Sequence, residues 1–276
     1  VGAIDAVLTV PPDVEKPPVA LLIAGSGSTD RDGNGPKLKP ATLKKLSDAL
    51  VAQGIATLRY DKRGAGGWKK EFGRPEDFRF KDFVDDAAAL IDRLRGGGKF
   101  SRITVIGHSE GGLVAILAAR RVPVDRLVLL TTAARKQGDL LKAQLEKQLP
   151  PEQFAPIAKA IDAIMAGQIV DPPPPGLAIA PAMQPGIASA FTEDPIDPLR
   201  KIDVPALIVA GGPRTLPAWI GAQPAQAAND GADRASPAPL TVPPAAAARL
   251  PRLKAVVPSG RLVKIAPPPA PASNKK

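Results

Sequence analysis

The strongest constraint on the fold is an alternation that runs through residues 1–135. Short apolar runs end in glycine-rich turns, and amphipathic stretches lie between them. Ala20-Leu21-Leu22-Ile23-Ala24 reads as a buried strand, stopped by Gly25-Ser26-Gly27. Over 42–53, Leu43, Leu46 and Leu50 share one helical face, and Gly54 supplies the stop. Residues 55–60 predict a second strand, leaving into Asp61-Lys62-Arg63-Gly64. Residues 81–95 predict a helix with Phe80, Val84, Ala87, Ile91 and Leu94 along its apolar stripe. Residues 102–106 predict a third strand, 112–121 a nearly all-apolar helix, and 127–130 a fourth strand. Strands that alternate with helices imply an α/β class: a mostly parallel central sheet with helices on both faces.

The pattern then changes. Residues 140–149 and 154–166 read as helices, followed by Asp171 and the run Pro172-Pro173-Pro174-Pro175. Residues 136–200 are therefore expected to be a helical cap inserted into a core made of 1–135 and 201–212. Strand character returns over 204–210. After Gly212 the periodicity fades. The segment 213–276 holds 13 Pro and 16 Ala, and one credible strand, 261–265. Its polyproline end is unsuited to helix or central strand.

Charge follows the same boundary. The chain carries a formal net charge of +10, but residues 1–212 contribute only +3 and 213–276 contribute +7. A basic tail invites a nucleic-acid reading. Its sole aromatic residue is Trp219, a poor base-stacking platform, so no nucleic-acid partner is expected. The absence of Cys excludes thiol nucleophiles, disulfides and Cys-bound zinc, and a single His excludes multi-His metal sites. No metal or cofactor is expected. No apolar run approaches the roughly 18 residues of a membrane span. The chain begins at Val1, with no basic region and apolar stretch ahead of the first strand. A trimmed cytoplasmic chain and a secreted or periplasmic chain after signal removal both fit.

The chemistry centres on Gly107-His108-Ser109-Glu110-Gly111, a G-x-S-x-G match between a strand and a helix. In that context the serine sits on a tight, strained turn with its Oγ above the sheet. Small residues two before and two after, here Gly107 and Gly111, prevent collisions across the turn. The N–H of the following residue, Glu110, lies at a helix N-terminus and can hold an oxyanion. Gly25-Ser26-Gly27 ends an earlier strand, and the Ser26 N–H is the candidate second donor. That loop lacks the third glycine of a dinucleotide fingerprint, which argues against a nucleotide enzyme.

With these residues in view, the sequence resembles the α/β-hydrolase superfamily, and within it a bacterial esterase-like branch of serine hydrolases. The resemblance is carried by residues 24–35, by 59–67 and by 107–112, and it continues through Gln184-Pro185 to about residue 212. It implies acyl transfer from carboxylic esters, with Ser109 as nucleophile, Ser26 and Glu110 as oxyanion donors, and a small-molecule ester as partner. It also implies an acid after the strand ending near Ala210 and a His after the last strand. Arg214 stands where the acid is expected, 266–270 reads Ala-Pro-Pro-Pro-Ala, and no His follows His108. On a sharp turn His108 diverges from its neighbour and is expected to pack beside the sheet with a local hydrogen bond. Tyr60, Asp61, Arg63 and Asp30 are candidates to surround the pocket, although Asp61-Lys62-Arg63 reads first as an ion-pair network. Two functions stay open: an esterase weakened by its incomplete triad, or a pseudo-hydrolase that binds acyl or ester ligands without turnover. The abrupt change near Gly212 also fits a shifted reading frame, which the coding DNA around residues 208–216 tests directly.

Overall fold

The computed structural model describes residues 4–66 and 74–209, together with the backbone of 259–265. Seven strands form one sheet in the order β6-β5-β4-β2-β3-β1-β7. They are β1 (Ile4–Val10), β2 (Val19–Ile23), β3 (Ala56–Tyr60), β4 (Ile103–His108), β5 (Arg126–Leu130), β6 (Ala206–Val209) and β7 (Ser259–Ile265). Strands β2 to β6 pair in parallel. β1 runs antiparallel to β3, and β7 antiparallel to β1.

The central strand explains why the sequence reads as a continuous apolar run. All of β2 is buried. Its side chains alternate between two cores: Val19, Leu21 and Ile23 enter one, and Ala20 and Leu22 the other. On the first face lie α2 (Phe80–Gly96) and α3 (Glu110–Ala119), which supply Phe80, Val84, Leu90, Ile91, Leu113 and Ile116. On the second lies α1 (Thr42–Ala52), through Leu46 and Leu50. A buried bond between Ser47 Oγ and Thr57 Oγ1 at 2.6 Å ties α1 to β3. Two covered faces are what a parallel sheet requires.

Between β5 and β6 the chain forms α4 (Gln137–Leu145), α5 (Pro151–Met165), α6 (Gln184–Phe191) and α7 (Ile196–Arg200). Ile157, Ile161, Ile164, Leu177 and Phe191 build a separate apolar cluster there. Gln184 is its buried polar clasp. Its Oε1 accepts from the Val170 N–H at 2.7 Å, and its Nε2 donates to the Val170 carbonyl at 2.8 Å.

The predicted strands and long helices form within a few residues of their expected ends. β1, α6 and α7 were not anticipated. β1 carries the period-two signal in Ile4, Ala6, Leu8 and Val10, which face one core, while Thr9 is buried on the other face. The strand expected at 261–265 forms over Ser259–Ile265, at the sheet edge opposite β6. Among the described residues no helix is long and apolar enough to cross a membrane, and no His, Asp and Glu group could hold a metal ion.

Candidate active site

β4 ends at His108 and α3 begins at Glu110, so Ser109 forms the whole turn between them. Its backbone is at φ 53° and ψ −119°. A positive φ is costly for a residue with a Cβ, about 1–3 kcal/mol at such strained positions. The surroundings hold it there. The Ser109 N–H donates to the Leu130 carbonyl at 2.8 Å, pinning the turn to the end of β5.

The flanking glycines serve close packing. A methyl group on Gly107 would lie 2.2 Å from the Gly111 carbonyl oxygen and 2.5 Å from the Gly112 Cα. One on Gly111 would lie 2.5 Å from the carbonyl oxygens of both Ile23 and Ala24. The motif is therefore a place where β4, α3 and the end of β2 come together with no room for side chains. The strain leads to a stability prediction. Ser109→Gly should raise the melting temperature by a few degrees, because relief of roughly 1–3 kcal/mol exceeds the roughly 0.5–1 kcal/mol entropy cost of glycine. Ser109→Ala should not, and calorimetry on both variants separates strain from loss of the hydroxyl.

The loop after β2 meets the elbow directly. A methyl on Gly25 would fall 3.3 Å from the Ser109 Cβ and 3.0 Å from His108 Nδ1. Ser26, Gly27, Ser109 and Glu110 line one cavity of about 330 Å³. The loop is braced by Ser28 Oγ, which donates to the Gly64 carbonyl at 2.5 Å, and by Thr29 Oγ1, which donates to the Ser26 carbonyl at 3.1 Å. Among the described residues the N–H groups of Ser26 and Glu110 have no protein acceptor. The rest of the cavity wall is largely apolar: Leu113 from α3, Leu140 and Leu141 from α4, Ile187 and Phe191 from α6. Arg135, Gln137 and Gln144 add polar groups. Among the apolar side chains of 136–200, Leu140 and Phe191 reach this wall. Leu145, Ile161 and Ile164 join the helices' own cluster, and Phe154 joins neither.

Several expectations need correction. Tyr60, Asp61, Arg63 and Asp30 do not line the cavity. They are engaged elsewhere. Asp61 accepts from the Arg31 backbone N–H at 2.7 Å and from its guanidinium at 2.6 Å. Arg63 makes a bidentate pair with Asp86, both bonds at 2.8 Å. Burial pushes the Asp86 carboxyl above the ordinary carboxylate range, partly offset by the Arg63 hydrogen bonds. That bonding raises Arg63 in turn. Burial, reinforced by the Asp86 charge, keeps the Tyr60 phenol protonated. Asp30 accepts from the backbone N–H groups of Asp32 and Asn34. His108 lies close to Gly25, but it is exposed and its imidazole forms no hydrogen bond among the described residues, contrary to the local bond expected for it. Arg214 and residues 266–270, the expected acid and His positions, lie outside the described residues.

Five parallel strands, an antiparallel strand beyond them and a serine elbow after β4 now stand together with an opposing loop. The fold is that of the α/β-hydrolases. Residues 41–167 of this hydrolase-fold chain match the family described as Serine aminopeptidase, S33. Esterase EstD of Thermotoga maritima is 25% identical over 215 residues, which cover 77% of this chain and 50% of that protein. The chain thus spans about half the length of this curated relative. Similar solved structures include Est1E from Butyrivibrio proteoclasticus with bound ferulic acid, at TM-score 0.47 and 21% identity over 74% of this chain and 73% of that one. Another is a proline iminopeptidase from Mycobacterium smegmatis, at TM-score 0.48 and 17% identity over 74% and 77%. The two sequence matches are thus to a family of serine aminopeptidases and to an esterase.

Sequence reasoning missed two residues here. Thr132 Oγ1 is buried at the cavity edge without a partner among the described residues, and a methyl on Gly112 would lie 1.8 Å from it. Lys62 was read only as part of a charged triplet, yet it is 2% exposed and bonded toward the elbow.

Proposed function

We propose that this chain is a serine hydrolase of carboxylic esters. Ser109 Oγ attacks the acyl carbon, the carbonyl electron pair moves onto its oxygen, and the N–H groups of Ser26 and Glu110 receive that oxyanion. The observation that carries the reading is the strained Ser109, at φ 53°, sharing one cavity with two unengaged N–H groups. Donors aimed at a developing oxyanion are each worth about 10²–10³ in rate. The apolar walls from α4 and α6 fit an apolar acyl group, and the helical segment over 136–200 then acts as a cap that sets acyl size.

The proton on Ser109 Oγ needs an acceptor. The one His of the chain is His108, adjacent to Ser109 and exposed. Among the described residues, no side chain in the cavity wall has the role of an oriented base toward Ser109. The chain as written is therefore proposed to be a weak enzyme whose positions for acid and His are altered. A fluorophosphonate probe tests the assignment of the nucleophile. Slow covalent labelling at Ser109, located by peptide mass spectrometry and abolished in Ser109→Ala, is expected. Labelling at another serine, or none after prolonged exposure, removes Ser109 from the mechanism.

A second reading draws on the same apolar cavity. A pocket of this kind without an oriented base would hold acyl or ester ligands without turning them over. Calorimetric titration with a non-hydrolysable acyl analogue tests it, and absence of heat from folded protein counts against it.

A further inference from the structure

We infer that Lys62 is a positioning residue that sets the direction of the oxyanion donors, an inference that rests on the acyl-transfer reading of Ser26 and Glu110. Lys62 follows β3 by two residues, and its side chain is buried. Its Nζ donates to the Gly25 carbonyl at 2.5 Å and to Glu110 Oε1 at 3.1 Å. It also sits 4.9 Å from the centre of the Phe83 ring on α2. One buried cation thus joins the ends of β2 and β3, the start of α3 and the face of α2.

The geometry of the peptide unit gives this contact its meaning. The Gly25 carbonyl and the Ser26 N–H belong to one planar group and point in opposite directions. Holding the oxygen on the Lys62 side turns the hydrogen toward the cavity that Ser26 lines. A cation on the oxygen also polarises the N–H, and hydrogen bonds in series strengthen one another. At the other end, Lys62 holds the side chain of Glu110, whose own N–H is the second donor. The one Nζ therefore bonds to the peptide unit that carries one donor and to the residue that carries the other.

Stability alone is a weak reason for such a group. Burying an ammonium costs several kcal/mol even when it is paired, and well-packed apolar side chains often replace buried ion pairs at no loss. Two neighbouring charges of the same turn point away to other partners, Asp61 to Arg31 and Arg63 to Asp86. Lys62 alone turns toward the elbow.

The test compares K62M and K62Q with the full-length parent chain by two readouts. The first is the inactivation rate of Ser109 with a fluorophosphonate, split into reversible binding and covalent reaction. The covalent rate should fall about tenfold to a hundredfold in K62M, with reversible binding unchanged, since misaligned donors cost part of the 10²–10³ that a lost donor costs. The second is the backbone amide resonance of Ser26 in a 15N-labelled sample, which should move upfield in K62M and by less in K62Q. An unchanged covalent rate in folded K62M overturns the inference. If K62M does not fold, the same two criteria apply to K62Q. If the parent chain is never labelled, the acyl-transfer reading fails by itself. The positional role is then decided by the Ser26 amide, and an unmoved resonance overturns it.

Discussion

Gly107→Ala should lower the melting temperature by on the order of 10 °C, or leave no soluble protein. The added methyl would lie 2.2 Å from the Gly111 carbonyl oxygen and 2.5 Å from the Gly112 Cα. Both are backbone atoms in the first turn of α3, so no rotamer change relieves the overlap. Overpacking in a rigid core costs about 1–3 kcal/mol and more when backbone must move. At roughly 2–4 °C per kcal/mol for a domain of this size, a loss of about 3–5 kcal/mol gives the stated shift. Gly27→Ala is the control. It sits at φ 80° beside the same cavity, but a methyl there meets nothing within 4 Å. Its cost should be only the left-handed backbone penalty, about 1–2 kcal/mol. Equal losses in the two variants, measured by thermal unfolding, would show that conformation rather than packing makes these positions glycine.

The second large effect concerns rate. A short-chain nitrophenyl ester should be turned over about 10⁶-fold more slowly than by a complete serine triad, because that is the order of the loss when the base is removed. Binding and oxyanion capture alone leave roughly 10³–10⁴ over water. The pH profile carries the diagnosis. With no side-chain base, hydroxide must take the Ser109 proton, so the logarithm of the rate should climb with pH at unit slope. A plateau near neutral pH would reveal a working base and sink the proposal that this chain is crippled.

The parallel sheet was legible because its strands, buried on both faces, are short and apolar throughout, as in β2 and β3. The elbow was legible because glycine spacing reports where backbones approach. β1 was overlooked although its alternation lies in plain view, since a seven-residue antiparallel strand has no glycine-rich turn to announce it. α7 is five residues long, too short for a helical period to emerge. The cavity wall was only half legible: periodicity marks apolar faces on α4 and α5, but packing decides which face meets Ser109 and which meets the next helix. The ion pairing of Lys62 was legible, but its direction was hidden for a related reason. Adjacent charges at a strand end look alike in sequence, and only the twist of the backbone assigns Asp61, Lys62 and Arg63 to three separate partners.

The crowding around Gly107 and Gly111 bears on how such proteins are inherited. Selection on folding alone is enough to keep both glycines, because β4, α3 and the end of β2 cannot seat side chains there. A lineage that ceased to turn over esters would go on transmitting the elbow spelling for as long as it needed a folded sheet. The pentapeptide is thus a signature of close packing, and whether a chain that carries it turns over esters is written elsewhere in that chain.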